Sequence, residues 1–244
     1  METQTTPQIE KRTGLPECWQ ALEDCLHAGI DRVILYGPPG TGKTFAGMNY
    51  GNVQNGAYRV TCTDDMTDLQ VTGALMPTGN NGAWGWIQGA ALKAWKTGGR
   101  LVIDEIDKAG ADVFASLLNM LDSPESASWE QPSTNQVYRP QAGFSAIMTT
   151  NIEDMAELPE ALGDRFPVAI RINQPHPDAI ALLSRDLRTI AVQLADAGEQ
   201  RISLRKFMAF DKLREKLGDE QSAKIIFTDR ASSILDAMKV NSIS

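Results

Sequence analysis

The sequence has no long hydrophobic run. Its longest apolar runs are the size of a β-strand, as in Leu101-Val102-Ile103, and none approaches the roughly 20 apolar residues of a membrane span. The first residues, from Met1 to Gln4, carry neither the basic nor the apolar region of a secretory signal. We therefore expect a cytoplasmic protein that does not associate with membranes.

Cysteine, histidine and net positive charge are also scarce. The three cysteines, Cys18, Cys25 and Cys62, form no Cys-x-x-Cys pair, so we interpret them as reduced thiols. The two histidines, His27 and His176, have no metal-ligand partners in the sequence and do not indicate zinc. Lys and Arg number 23 against 31 Asp and Glu, a formal net charge of −8. This charge disfavours a non-specific nucleic-acid binder, although a local basic patch stays open.

Short apolar strands alternate with helical segments along the chain. With 244 residues, 42% of them hydrophobic, the chain is long enough for a substantial core. Apolar, often β-branched runs predict strands at residues 33–36, 58–62, 100–106, 145–149 and 168–172. Helical segments are predicted at residues 16–28, 44–50, 89–97 and 111–121. This alternation predicts an α/β fold in which helices flank a parallel sheet.

The character of the chain changes after Pro175 and Pro177. Helical segments are predicted beyond them at residues 178–197, 203–217 and 221–238. We therefore expect an N-terminal tail at residues 1–15, an α/β core at residues 16–173 and a small all-helical domain at residues 174–244.

One glycine-rich segment matches the phosphate-binding pattern G-x-x-x-x-G-K-[ST]. It reads Gly37-Pro38-Pro39-Gly40-Thr41-Gly42-Lys43-Thr44 and lies between a predicted strand and a predicted helix. Its glycines let backbone N–H groups close around phosphate oxygens, and the helix N-terminus adds the positive end of its dipole. Lys43 would reach the β- and γ-phosphates, and Thr44 would ligate Mg²⁺. The segment predicts a P-loop NTPase; the alternative is a glycine turn with an incidental lysine.

Two carboxylates follow the most apolar predicted strand. Asp104 and Glu105 would lie at the carboxyl edge of the sheet, where phosphate ligands bind in such folds. Asp104 would hold Mg²⁺, directly or through water, and Glu105 would polarise the attacking water. A strand that ends in a solvated acidic turn is the alternative, which the phosphate-binding segment disfavours.

With these motifs the chain resembles the AAA+ ATPases over nearly all of its length. Thr149-Thr150-Asn151 follows the fourth predicted strand, where that family carries its sensor 1 residue, so the resemblance makes Asn151 a catalytic candidate. Within AAA+, the chain resembles the MoxR and dynein-related branch. The runs that carry this likeness are Asp68-Leu69 before Gly73, residues 89–94 before Gly98-Gly99, residues 158–166, and Ser203-Leu204-Arg205.

The resemblance also assigns two arginines. Arg165 takes the place of the arginine finger, which reaches the ATP of a neighbouring subunit and meets the charge on the γ-phosphoryl oxygens. Arg205 takes the place of sensor 2, through which a helical lid contacts the phosphates of its own subunit. From the residues alone, Arg165 could instead pair with Asp164 or Glu160, and Arg205 lies in a generally basic segment.

Two inserts of the branch are matched by residues 74–87 and 123–139, and both would face the central pore of a ring. The first contains Trp84 and Trp86, and the second contains Trp129 and Tyr138. Trp84 and Trp86 could contact a substrate or partner. Their spacing also fits two residues on one face of a short strand, packed against the body.

The resemblance implies an ATPase that uses ATP and Mg²⁺ and self-associates into a ring, most often a hexamer. Its output would be the remodelling of a protein partner, as in MoxR-like chaperones that work with von Willebrand A-domain adaptors. Two other classes stay open: a nucleic-acid motor or loader, which the acidic charge disfavours, and a nucleotide-gated scaffold with little turnover.

Overall fold

The computed structural model describes residues 14–79 and 82–241. The strands are β1 (Arg32–Tyr36), β2 (Ala57–Thr61), β3 (Gly73–Pro77), β4 (Trp84–Gln88), β5 (Arg100–Asp104), β6 (Trp129–Gln131), β7 (Gln136–Tyr138), β8 (Ser145–Thr149) and β9 (Val168–Arg171). The α-helices are α1 (Glu17–His27), α2 (Lys43–Asn49), α3 (Leu69–Thr72), α4 (Ala90–Thr97), α5 (Ala111–Met120), α6 (Glu160–Arg165), α7 (Pro177–Ala181), α8 (Arg185–Ala195), α9 (Leu204–Leu217), α10 (Asp219–Phe227) and α11 (Ala231–Asn241). The predicted tail at residues 1–15 lies outside the described residues, apart from its last two.

Five strands form one parallel sheet in the order β2-β5-β8-β1-β9. The predicted fold class, an α/β P-loop architecture with a parallel sheet flanked by helices and followed by C-terminal helices, is confirmed. One predicted strand was too long: β5 ends at Asp104 instead of continuing to residue 106. The reason is the backbone of Glu105, whose φ of 58° is left-handed and cannot extend a strand.

Alternate residues of the central strands pack into two apolar cores, one on each face of the sheet. In β1, Ile34 packs in the core that holds Trp95 of α4, while Leu35 packs in the core that holds Trp19 of α1. All four side chains are buried. Because helices cover both faces, the site for polar chemistry lies at the edge formed by the carboxyl ends of the strands.

Two antiparallel hairpins project at the predicted inserts. β3 pairs with β4, and β6 pairs with β7. The rings of Trp86 and Trp129 are 5.4 Å apart, so the hairpins contact each other. Trp84 is 63% exposed. The structure thus packs Trp86 against a neighbouring element and leaves Trp84 accessible.

The helices after β9 surround an apolar core of their own, which includes Leu187, Phe207 and Phe227. Two long helices predicted for this segment are each divided. Residues 178–197 form α7 and α8, because the Ser184 N–H donates to the Asp211 carboxylate, at 2.8 Å, and starts a new helix there. Residues 221–238 are divided between α10 and α11 at Thr228, whose φ is 53°.

Among the described residues, no helix is both long enough and apolar enough to cross a membrane.

Candidate functional site

The glycine-rich loop lies between β1 and α2, at the carboxyl edge of the sheet. Gly37, Gly40 and Gly42 have φ values of 111°, 82° and 110°, a region that other residues rarely adopt. Helix α2 begins at Lys43 directly after this loop. The sequence-predicted residues 37–44 therefore form one turn that leads into a helix N-terminus, the arrangement that binds phosphate.

Lys43 is buried inside this loop. Its ammonium donates to the carbonyls of Gly37 at 2.7 Å and Pro38 at 2.8 Å, and to Oδ1 of Asn151 at 3.1 Å. Burial lowers the pKa of Lys43 to about 8, because the charged ammonium loses solvation, while Asp104 acts in the opposite direction. The loop therefore holds a buried, hydrogen-bonded ammonium at the position where the motif predicts contact with phosphate.

Thr44 and Asp104, the two residues predicted to hold Mg²⁺, contact each other directly. The Thr44 hydroxyl donates to Oδ1 of Asp104 at 2.8 Å, and the Thr149 hydroxyl at the end of β8 donates to the same oxygen. Asp104 is 4% exposed. A hydroxyl and a carboxylate are the oxygen ligands that Mg²⁺ prefers, so the residues present fit this ion.

Glu105 stands directly after Asp104 in the left-handed backbone region, an uncommon conformation for a residue with a Cβ. Its backbone N–H donates to the Thr149 hydroxyl at 3.4 Å. Its carboxylate accepts from the Lys108 ammonium at 2.7 Å. The turn gives Glu105 a different direction from the strand residue before it, so that Asp104 and Glu105 can serve separate roles.

Asn151 lies just beyond β8, next to the strand that ends in Asp104. Its amide oxygen accepts from Lys43, which ties the loop after β8 to the phosphate-binding loop. The buried Thr150 hydroxyl donates to Asp107 at 2.6 Å and fixes the backbone of the same loop. Asn151, which the resemblance makes the sensor 1 candidate, therefore lies beside Lys43. We call Lys43 and the site residues next to it the cluster around Lys43.

The start of α9 touches the phosphate-binding loop. A Cβ placed on Gly40 would lie 2.8 Å from the Cβ of Ser203, so only glycine fits this approach. Arg205 is exposed in the first turn of α9, two residues beyond this contact. The structure thus places the sequence-predicted Arg205 at the junction of the C-terminal helices with the loop.

A cavity of about 710 Å³ opens beside the loop, between the start of the core and the C-terminal helices. Its apolar and aromatic lining includes Trp19, Phe45, Tyr50, Leu182 and Met208. Phe45 is 64% exposed and Leu182 is 76% exposed, an unusual state for large apolar side chains next to a core. The sequence analysis missed this cavity, because its walls come from segments far apart in the chain.

Arg165 does not contact the cluster around Lys43 within the part of the chain that the structure describes. Its guanidinium donates to the carbonyls of Leu118 at 3.1 Å and Ala161 at 3.0 Å. Its ion pair is with Asp122, at 3.8 Å, and not with Asp164 or Glu160, the two partners suggested by the sequence. Arg165 is therefore held at the end of α6 by contacts with its own subunit.

A network of ion pairs that the sequence analysis did not predict also surrounds the site. Glu153, two residues after Asn151, pairs with Arg171 at 2.8 Å and with Arg201 at 3.2 Å. Arg171 also pairs with Asp196 at 2.8 Å. These hydrogen bonds raise the pKa of Arg171 above its usual value, and those that it donates to Asp196 contribute most. The network joins the loop after β8 and the end of β9 to the C-terminal helices.

The comparisons with known proteins agree with this geometry. The sequence profile of the AAA domain (dynein-related subfamily) matches residues 32–166, more than half of the chain. An uncharacterized protein of Staphylococcus saprophyticus is 25% identical over 240 residues, which cover 86% of this chain and 90% of that protein. The Holliday junction branch migration complex subunit RuvB of Limosilactobacillus reuteri is 26% identical over 215 residues, which cover 84% of this chain and 58% of RuvB.

A crystal structure of a protein from Cytophaga hutchinsonii aligns with 82% of this chain and 57% of its own, with 17% identity and a TM-score of 0.47. On the match to its profile, the chain belongs to the dynein-related subfamily of AAA domains. The predicted AAA+ membership is confirmed, and the protein is a nucleotide-binding ATPase.

Proposed function

We propose that this chain hydrolyses ATP with Mg²⁺ and that a ring of its subunits uses the reaction to remodel a protein partner. The observation that carries the proposal is the convergence of Lys43, Thr44, Asp104, Glu105 and Asn151 at one edge of the sheet. These residues come from three segments of the chain. A buried lysine, two adjacent carboxylates and a polar amide are the groups that phosphoryl transfer to water requires.

Each of these side chains has a separate role in the proposed reaction. Lys43 would exchange the loop carbonyls for the β- and γ-phosphate oxygens. Thr44 and Asp104 would hold Mg²⁺, which neutralises charge on the phosphates. Glu105 would accept a proton from the attacking water, and Asn151 would orient that water.

The cavity lined by Trp19, Phe45, Tyr50, Leu182 and Met208 would receive the adenine base. It lies beside Gly40, Thr41 and Gly42, so that one nucleotide could span the cavity and the loop. An aromatic base would also cover the exposed faces of Phe45 and Leu182. Arg205 would contact the phosphates from the side of the C-terminal helices. These helices, at residues 174–244, would act as a lid over the nucleotide.

We infer that Arg165 acts on the nucleotide of a neighbouring subunit. Arg165 is held away from the Lys43 cluster by its own contacts with α5, α6 and Asp122, which supports action in trans. A finger in trans requires that subunits assemble with one site at each interface, as in a closed ring. The family resemblance makes a hexamer the expected size of that ring.

The proposed output is mechanical work on a protein, either a client or a von Willebrand A-domain adaptor. The first hairpin presents four large apolar side chains that are each about half exposed or more, namely Leu75, Met76, Trp84 and Ile87. Exposed apolar surface of this kind suits protein contact better than contact with the phosphate backbone of nucleic acid.

A second candidate function is a nucleic-acid motor. This function is favoured by the similarity to RuvB, a subunit of a Holliday junction branch migration complex. That similarity extends over 84% of the chain. The net charge of −8 disfavours it.

Phosphate release by the wild-type chain and by Glu105→Gln tests the proposal. The variant should bind ATP and lose at least about 100-fold in turnover, because an amide cannot accept the proton of the water. Asp112→Asn, which removes an exposed carboxylate in the first turn of α5, is the matched control and should keep wild-type turnover. Normal hydrolysis by Glu105→Gln would contradict the assignment. Stimulation of the wild type by four-way-junction DNA would favour the motor instead.

A further inference from the structure

Asp104 is already paired with a cation of the protein itself. Nη2 of Arg59, on the edge strand β2, donates to Oδ2 of Asp104. β2 runs parallel to β5 with Thr61 beside Asp104, and Arg59 lies two residues earlier, on the same face as Thr61. The Asp104 side chain is 5% exposed and the Arg59 side chain is 46% exposed. A buried carboxylate is thus neutralised by a half-exposed arginine.

The ion pair between Arg59 and Asp104 uses the carboxylate oxygen that accepts no hydrogen bond from the two threonine hydroxyl groups. Oδ1 of Asp104 accepts from Thr44 and Thr149, and Oδ2 accepts from Arg59. Both carboxylate oxygens are therefore engaged by the protein. A divalent cation bound to Asp104 would compete with the Arg59 guanidinium for the lone pairs of the carboxylate oxygens. Two cations held by the same carboxylate would also repel each other.

Arg59 also has space into which it can move. It lines a groove of about 500 Å³ together with Tyr58, Met76, Ile87 and Lys93, between β2 and the first hairpin. A guanidinium is weakly hydrated and can rest on apolar and aromatic side chains. Its departure from Asp104 requires only a side-chain rotation at the solvent-exposed edge of the sheet.

We propose that Arg59 is a displaceable counter-ion of the magnesium site. It pairs with Asp104 when the metal is absent and leaves Asp104 when Mg²⁺ and nucleotide bind. Arg59 thereby sets the Mg²⁺ concentration at which the site fills, and it keeps a buried carboxylate neutralised in the empty state. This inference rests on the proposed role of Asp104 as a metal ligand.

The test is a titration with Mg²⁺ in which binding of a fluorescent, non-hydrolysable ATP analogue (mant-AMPPNP) is measured by anisotropy. Arg59→Gln removes the competing cation, so the Mg²⁺ concentration at half-effect should fall roughly three- to tenfold. Arg59→Met removes the same charge but keeps an apolar stem suited to the groove, and it should show the same fall.

Two control variants separate competition from other effects. Arg59→Lys keeps a cation and should lie closer to the wild type than Arg59→Gln does. Lys93→Gln removes a cation from the same groove, and in the described part of the chain no ion pair joins Lys93 to Asp104; its midpoint should equal that of the wild type. Binding of the analogue in the presence of chelator reports that each variant is folded.

An unchanged or higher Mg²⁺ midpoint in whichever charge-removing variant binds the analogue in chelator overturns the role of Arg59. That outcome leaves the proposed function intact, provided that wild-type binding is lost in Lys43→Ala. If the wild type binds no analogue, or binds it independently of Lys43, the proposed function fails instead.

Discussion

The burial of Lys43 makes nucleotide affinity depend on pH in the alkaline range. The residue is 6% exposed, and its pKa of about 8 in the free protein lies below the ordinary value of 10.5. Bound phosphates stabilise the ammonium and therefore raise its pKa. Above pH 8, binding must first return a proton to Lys43, and nucleotide affinity should fall as the pH rises.

The size of this effect follows from the protonated fraction of Lys43. With a pKa of about 8, roughly nine-tenths of the lysine is charged at pH 7 and roughly one-tenth at pH 9, so affinity should weaken about tenfold, or about 1.4 kcal/mol. Fold stability should change in the opposite direction. Because the folded pKa lies below the unfolded value, the nucleotide-free protein gains stability from Lys43 as the pH rises from about 8 towards 10.5.

Calorimetric titration with ADP in chelator, at constant ionic strength and at several pH values between 7 and 9, measures the effect without Mg²⁺. Lys43→Ala is the control: it should bind weakly at every pH and show no such slope. The buried Cys62 thiol should not contribute, because burial raises its pKa to about 12. Equal wild-type affinity at both ends of the range would refute the reasoning, and an equal slope in Lys43→Ala would assign the proton to another group.

Arg165→Ala should bind ATP nearly normally and hydrolyse it roughly 10³-fold or more slowly, measured as phosphate release. Mixed with Glu105→Gln subunits, it should recover activity above both parents, since each variant supplies what the other lacks; no recovery in assemblies shown to be mixed by native mass spectrometry would argue against action in trans. Gly40→Ala should weaken nucleotide binding at least about tenfold, because its Cβ would meet Ser203 at 2.8 Å on a backbone with φ of 82°. Gly79→Ala, whose Cβ meets no atom of the described residues within 4 Å, is its control, and equal affinities of the two variants in a nucleotide titration would contradict the steric argument.

The fold class, which the sequence predicted correctly, and the placement of the candidate site residues both depend on local chemistry. The turn from Gly37 to Thr44 needs glycines at fixed places, and a strand rich in β-branched residues before it can only be buried. The carboxyl edge of a parallel sheet then brings Asp104 and Asn151 near Lys43, whatever the details of packing. The fold class and the placement of these side chains follow from such rules.

The parts that the sequence did not predict depend on which distant segments touch. The pair between Arg59 and Asp104 requires the register of β2 on β5, which periodicity does not specify. The division between α7 and α8 results from a hydrogen bond between Ser184 and Asp211, 27 residues apart. The sequence contained one indication of this pair: Arg59 is a single arginine within a short predicted strand, and another predicted strand ends in the acidic residue Asp104.

The network around Glu153 has a consequence for the behaviour of the protein in salt. One carboxylate holds both Arg171 and Arg201, and each of the three side chains is about one-third to one-half exposed. Dissolved ions reach such pairs, and at molar ionic strength the screening length shrinks to about 3 Å. Added salt should therefore weaken the attachment of the C-terminal helices to the sheet and allow more relative motion between them. The apolar cores on either side should keep their packing.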